Sequence, residues 1–222
     1  MLLFGLLILG ILIVIGMFSH QAEQNRRKDL AQFATLNGLS YSPEKVLQFD
    51  ERFREFSFLH KGTRRYARHC MHGQLAGGNF LICEYHYQVN HHHGKNRRSQ
   101  HYLSTLIMCH PPFNLKPLLI RPEGMMDKLK SSVGGYDISF SSEAFSKQFH
   151  VTSPDREWAY AVLQPQTIDL LLQRPNNLEY HMQHGWLCLR QKKGLNQQSL
   201  ASLIHLAQTI IENIPDPYKV NQ

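Results

Sequence analysis

Residues 2–18 carry no polar side chain: Leu, Ile, Val, Phe and Met are interrupted only by Gly5, Gly10 and Gly16. A helix crossing the hydrocarbon core of a bilayer needs roughly 17–25 such residues at about 1.5 Å each. The run therefore predicts a transmembrane anchor over residues 1–20. A cleaved secretory signal would put positive charge before its apolar core and small residues behind it. Here only Met1 precedes the core, Arg26, Arg27 and Lys28 follow it, and residues 17–22 make a poor cleavage site. The bias of basic flanks toward the cytoplasm then places the rest of the chain on that side. Residues 21–37 have helical composition, with Leu30, Phe33, Ala34 and Leu36 apolar and Gly38 placed as a stop. They predict a juxtamembrane helix over 21–38 that continues the anchor.

Beyond Ser42-Pro43 the periodicity changes. Residues 45–58 read as a short helix followed by the start of a strand. Residues 63–75 are strand-like, 80–89 are rich in aromatic and β-branched residues and 102–109 read as the returning strand, joined by a tight turn at 76–79 and a polar loop at 90–99 into an antiparallel meander. Pro111-Pro112 ends the last of them. Residues 115–120 read as a further strand, placed at an edge because of Pro117. A short helix around 125–129 and a strand over 136–140 follow. Helices are predicted over 155–163 and 167–172, separated by Pro165, then a hairpin of 178–183 with 186–191. Leu200, Leu203, Ile204, Ala207, Ile210, Ile211 and Ile214 recur at helical spacing before Pro215 and predict an amphipathic C-terminal helix with that face in the core. Strands and helices without regular βαβ alternation define an α+β fold: a transmembrane helix, then a single domain over 39–215 with an antiparallel meander sheet and packed helices, and a tail over 216–222.

Composition supports a folded domain, with 42% hydrophobic, 10% aromatic and 18% charged residues among 222. Lys and Arg outnumber Asp and Glu by 24 to 17, a formal charge of +7, and 14 His add to it in mild acid. Beside a bilayer the large anionic surface is the headgroup layer, so the charge predicts a membrane-facing role and not a nucleic-acid one. Cys70, Cys83, Cys109 and Cys188 are irregularly spaced without a C-x-x-C pair, which predicts buried free thiols.

Three basic clusters are candidates for a binding surface: the flank at Arg26, Arg27 and Lys28; Arg64, Arg65 and Arg68; and Lys95, Arg97 and Arg98 in the polar loop. Each Lys or Arg near an anionic leaflet contributes about 1 kcal/mol, although a charge run is also the ordinary dress of a solvated face. His91, His92 and His93 are weak candidates for a metal site, because neighbouring residues point in different directions and adjacent cations repel an ion. No metal and no cofactor is expected. Glu84 and His86 share one face of a strand with Phe80, Ile82 and Gln88, opposite Leu81, Cys83, Tyr85, Tyr87 and Val89. They could form an acid/base couple or simply the wet side of a sheet. Asp137 is a further weak catalytic candidate, equally suited to a turn. The nucleophile-elbow, zinc-protease, P-loop and dinucleotide fingerprints are all missing.

The anchor, the Glu84-Tyr85-His86-Tyr87 end of the 75–87 segment, the 135–140 run Gly-Tyr-Asp-Ile-Ser-Phe, Phe145-Ser146 and Phe149-His150-Val151 together resemble a group of uncharacterised bacterial proteins with an N-terminal membrane anchor and one soluble α+β domain. The resemblance implies the same layout, in a bacterial inner membrane with a cytoplasmic domain, and supplies no catalytic residues. The expectation is a membrane-tethered, non-enzymatic interaction domain whose basic surface faces anionic lipid or a membrane-protein partner. The alternative is a membrane-associated enzyme, such as a hydrolase, with a His/Glu site on the central sheet.

Overall fold

The computed structural model describes residues 2–93, 96–124, 135–174 and 177–219, leaving the side chains of residues 2, 3, 5–9, 92, 93, 96 and 97 aside. The helix expected around 125–129 lies outside the described residues. One continuous helix, α1 (Leu2–Leu36), opens the chain. Its two halves have different surroundings. Leu30, Phe33 and Ala34 are buried in the main core, whereas Phe4 and the apolar residues Ile11–Ile15, Met17 and Phe18 are 50–74% exposed. Among the described residues no helix is long and apolar enough to cross a membrane. The described residues therefore lend no support to the transmembrane, single-pass part of the expected fold, which falls in part on residues 1–3 and 5–9. Gly38 stops the helix as expected, with φ +68° and the Leu39 amide donating to the Ala34 carbonyl at 2.8 Å.

Among the described residues ten strands form one antiparallel sheet. Three belong to the meander: β3 (Thr63–Leu75), β4 (Gly78–His93) and β5 (Asn96–His110). Short strands β1 (Ser40–Ser42) and β2 (Val46–Leu47) pair with β3. On the other side of β5 the order is β10 (Trp186–Gln191), β9 (Leu178–Gln183), β6 (Leu118–Pro122), β8 (Phe149–Ser153) and β7 (Tyr136–Asp137). The meander with β1 and β2 is thus half of the sheet, and the second half is threaded out of chain order.

Several expectations are corrected. The segment 90–99 is not a loop: β4 and β5 stay paired out to His93↔Asn96. The long ladder continues because cross-strand bonding, and not burial, sustains a hairpin with two wet faces. Nor is β6 an edge strand, since it pairs with both β8 and β9; its prolines lie before the strand and at its last residue, where a missing N–H is tolerated. Residues 45–58 give β2, the one-turn helix α2 (Phe49–Arg52) and a 3₁₀ turn, not a helix and a strand start. The strand expected at 136–140 shrinks to β7. Pro165 does not separate the two helices but begins the second, as N1 of α5 (Pro165–Leu172).

Side-chain alternation divides the core in two. On one face Phe80, Ile82, Ile107, Leu187, Leu189, Tyr180 and Ile120 pack under the second half of α1, α3 (Glu143–Gln148), α4 (Arg156–Val162), α5 and α6 (Gln197–Glu212). All seven residues of the predicted apolar stripe on the C-terminal helix are buried. On the other face Cys83, Tyr85, Tyr87, Leu106, Met108 and Cys188 are covered by the aromatic segment Phe49, Phe53, Phe56 and Phe58. The four cysteines are buried and free.

The direction of α1 follows from its contacts. At its C-terminal end Leu39 and the Gly38 carbonyl lie against Gly73, opposite Phe80; Glu23 and Arg26 lie at His69 and Glu84, further along β4. Going toward its N-terminus, α1 therefore runs in the same sense as β4 toward its tip. The exposed apolar half of the helix and the outer end of the β4–β5 hairpin project toward the same end of the molecule.

Candidate functional site: the charge clusters of the central sheet

Glu84 is the centre of the first cluster. It points from β4 to the α1 side of the sheet and is 1% exposed. Arg26 of α1 donates to one carboxylate oxygen at 2.5 Å, Arg68, directly across on β3, to the other at 2.5 Å, and the Leu195 amide to the first at 3.0 Å. Burial alone would raise the Glu84 pKa, but the two guanidiniums outweigh it and hold the group below the ordinary carboxylate value. Arg26 also donates to the Leu195 carbonyl at 2.9 Å. Around this clamp Glu23 reaches Arg27 at 3.3 Å and lies 3.2 Å from the fully buried His69, whose Nδ1 meets the Tyr41 hydroxyl at 2.8 Å. A break in register between Arg68 and Met71 puts His69 at φ +51°, a bulge that turns its ring into the cluster. Burial and then Arg26 lower the His69 pKa, so the neutral ring is favoured there.

His86, two residues on, is not in contact with this carboxylate. It meets the Arg64 carbonyl through Nδ1 at 3.2 Å and His101 through Nε2 at 3.0 Å, and stacks on Tyr66 at 4.5 Å. The Arg64 carbonyl can only accept, so Nδ1 carries the proton and the His101 Nδ1–H donates to Nε2. Glu84 and His86 share a face, as the alternation predicts, but each is bound to different neighbours.

The other predicted residues are dispersed. Arg65 donates to Asp50 at 2.8 Å, Arg68 belongs to the Glu84 clamp, and Arg64 is exposed at a second bulge, φ +51°. Asp137 is 76% exposed on β7 with His150 at 3.0 Å. Arg98 and His91 are exposed near the hairpin tip; Lys95 and the side chains of Arg97, His92 and His93 lie outside the described residues. Among the described residues no group of His, Cys, Asp and Glu has the arrangement to hold a metal ion.

The second cluster went unseen in the sequence. On the opposite face Glu179 of β9 accepts from Arg190 of β10 at 2.8 Å and lies 2.9 Å from Lys192 and 3.4 Å from His181. Arg190 is 2% exposed and lies under the Phe58 ring at 4.7 Å. Burial opposes ionisation of Glu179, but His181, Arg190 and Lys192 hold its pKa far below the usual value. The one available signal was Glu179 and Arg190 standing at facing positions of a predicted hairpin.

These features define a mixed α+β protein built on a large antiparallel sheet with a helix clamped across it. The crystal structure of the mycobacterial trehalose monomycolate transport factor A is similar: 88% of this chain superimposes on 98% of that one, with a TM-score of 0.60 and 12% identity. At that identity the likeness is one of fold. No known family model matches the chain, and no curated protein matches its sequence.

Proposed function

We propose that this chain is a membrane-tethered, non-enzymatic interaction domain. The observation that carries the reading is α1. Its first half is an uninterrupted apolar run in sequence, exposed where described, and its second half is bound to the sheet through Arg26 and Glu84. Water is a poor solvent for such a surface, and a bilayer is a good one. In this reading residues 1–20 form the anchor, the basic flank keeps the domain cytoplasmic at a bacterial inner membrane, and the continuous helix holds the sheet at a set angle to the surface. The β4–β5 hairpin, whose sequence carries Lys95, Arg97 and Arg98, then extends toward anionic headgroups or a membrane-protein partner. The enzymatic alternative draws no support from Glu84, whose carboxylate is committed to two arginines and an amide.

The test is alkaline carbonate extraction of membranes. The full chain stays in the pellet, and an Ile11→Lys/Ile15→Lys variant with an unchanged melting temperature is released. Release of the unaltered chain would overturn the anchor.

A further inference from the structure

Pairing of β10 with β5 ends at Gln191↔Thr105, while β5 continues to Asn96. A cavity of about 550 Å³ opens at that point, within the range of ligand-sized pockets. Among the described residues the lining includes Lys61, Arg190, Lys192 and Lys193 and no carboxylate. Arg190 is the buried member, with its Nε 3.4 Å from the Ser104 hydroxyl, while Lys192 and Lys193 are exposed at the mouth. Glu179 lies behind this lining, reached by Arg190 and Lys192. A recess whose walls carry one sign of charge concentrates the opposite ion. Beside the cations stand Tyr87 and Tyr102, stacked at 5.0 Å with their rings 9° apart, then Val89 on the same face, an apolar wall that follows the β4–β5 hairpin outward, while Leu103 lines the cavity from the other face of β5.

We propose that this cavity binds a phosphate-bearing ligand, with the phosphate among Lys193, Lys61, Arg190 and the Ser104 hydroxyl and the remainder of the molecule along the Tyr87–Tyr102 wall. Lysines around one buried guanidinium supply charge-assisted donors to phosphate oxygens. The phosphate can come from a lipid headgroup or from a soluble ester. The lipid source rests on the membrane reading, because the apolar wall runs toward the end where the exposed half of α1 projects.

Isothermal titration of the full chain in neutral detergent tests it, with glycerol 1-phosphate and dihexanoyl phosphatidylglycerol as probes. Wild type binds at least one of the two. Lys193→Glu weakens that binding by about tenfold or more, the equivalent of about 1.4 kcal/mol. Lys147→Glu, a charge reversal on α3, changes it less than about twofold. Tighter binding of the lipid assigns a headgroup, and equal binding a soluble ester; both support the site. No binding of either probe, or equal weakening by the two reversals, overturns it. Failure of the anchor in carbonate extraction leaves the glycerol 1-phosphate titration as it is, so the two readings fail separately.

Discussion

Replacing Glu84 by Gln keeps the side chain's shape and removes its charge, leaving Arg26 and Arg68 facing a neutral amide. Removing one partner of a buried ion pair costs about 3–5 kcal/mol. Here the two arginine side chains are 27% and 26% exposed and can turn partly to water, which lowers the loss to about 2–3 kcal/mol. For a chain of this size each kcal/mol shifts the melting temperature by about 2–4 °C, so the variant melts roughly 5–10 °C lower at neutral pH. The pH dependence has a definite sign. Glu84 has a folded pKa below its unfolded value, so its contribution is present above the unfolded pKa of about 4.3 and is lost as pH falls through the folded one. The gap between wild type and variant is widest near neutrality and closes in acid. Thermal melts of the full chain in neutral detergent from pH 7 to pH 2 measure it. Hydrogen exchange adds the location: the amides of 23–36 in α1 exchange faster in the variant, because Arg26 no longer holds the helix. A variant melting within about 2 °C of wild type at pH 7, or a gap unchanged down to pH 2, would refute the clamp.

Two further outcomes follow from the packing. Gly78 has φ +139°, and a Cβ there would stand 2.3 Å from the His110 carbonyl oxygen, so Gly78→Ala costs about 2–3 kcal/mol in urea unfolding, and an unchanged midpoint would contradict the turn geometry. Burial pushes the Cys109 thiol up to about 12 and raises Cys188 as well, so neither is alkylated by iodoacetamide in the native chain at mildly alkaline pH; mass spectrometry finding either labelled without denaturant would place them outside the core.

Legibility tracked the range of the determining interaction. The two faces of the inner part of β4 follow from its alternation, and the buried stripe of α6 from its three- and four-residue spacing, because both patterns record contact with a core along a few consecutive residues. The outer part of the β4–β5 hairpin escaped this reading, since its polar run has the composition of a loop and is held as strand by its partner across the ladder. The interior position of β6 was hidden for the same reason: β8 and β9 cover edges that Pro117 and Pro122 leave intact.

By itself the sequence determined the apolar N-terminal run, the α+β class, the alternating faces of the central strands and the buried thiols. Only the tertiary structure decided what the charges do. Arg26 and Glu84 are 58 positions apart, and nothing local distinguishes an arginine destined for a buried carboxylate from one destined for solvent. Arg26 of the flank and Arg65 and Arg68 of the second cluster, read from composition as outward-facing charge, turned to the buried carboxylates of Glu84 and Asp50, because pairing within the fold satisfies a carboxylate that packing had already buried.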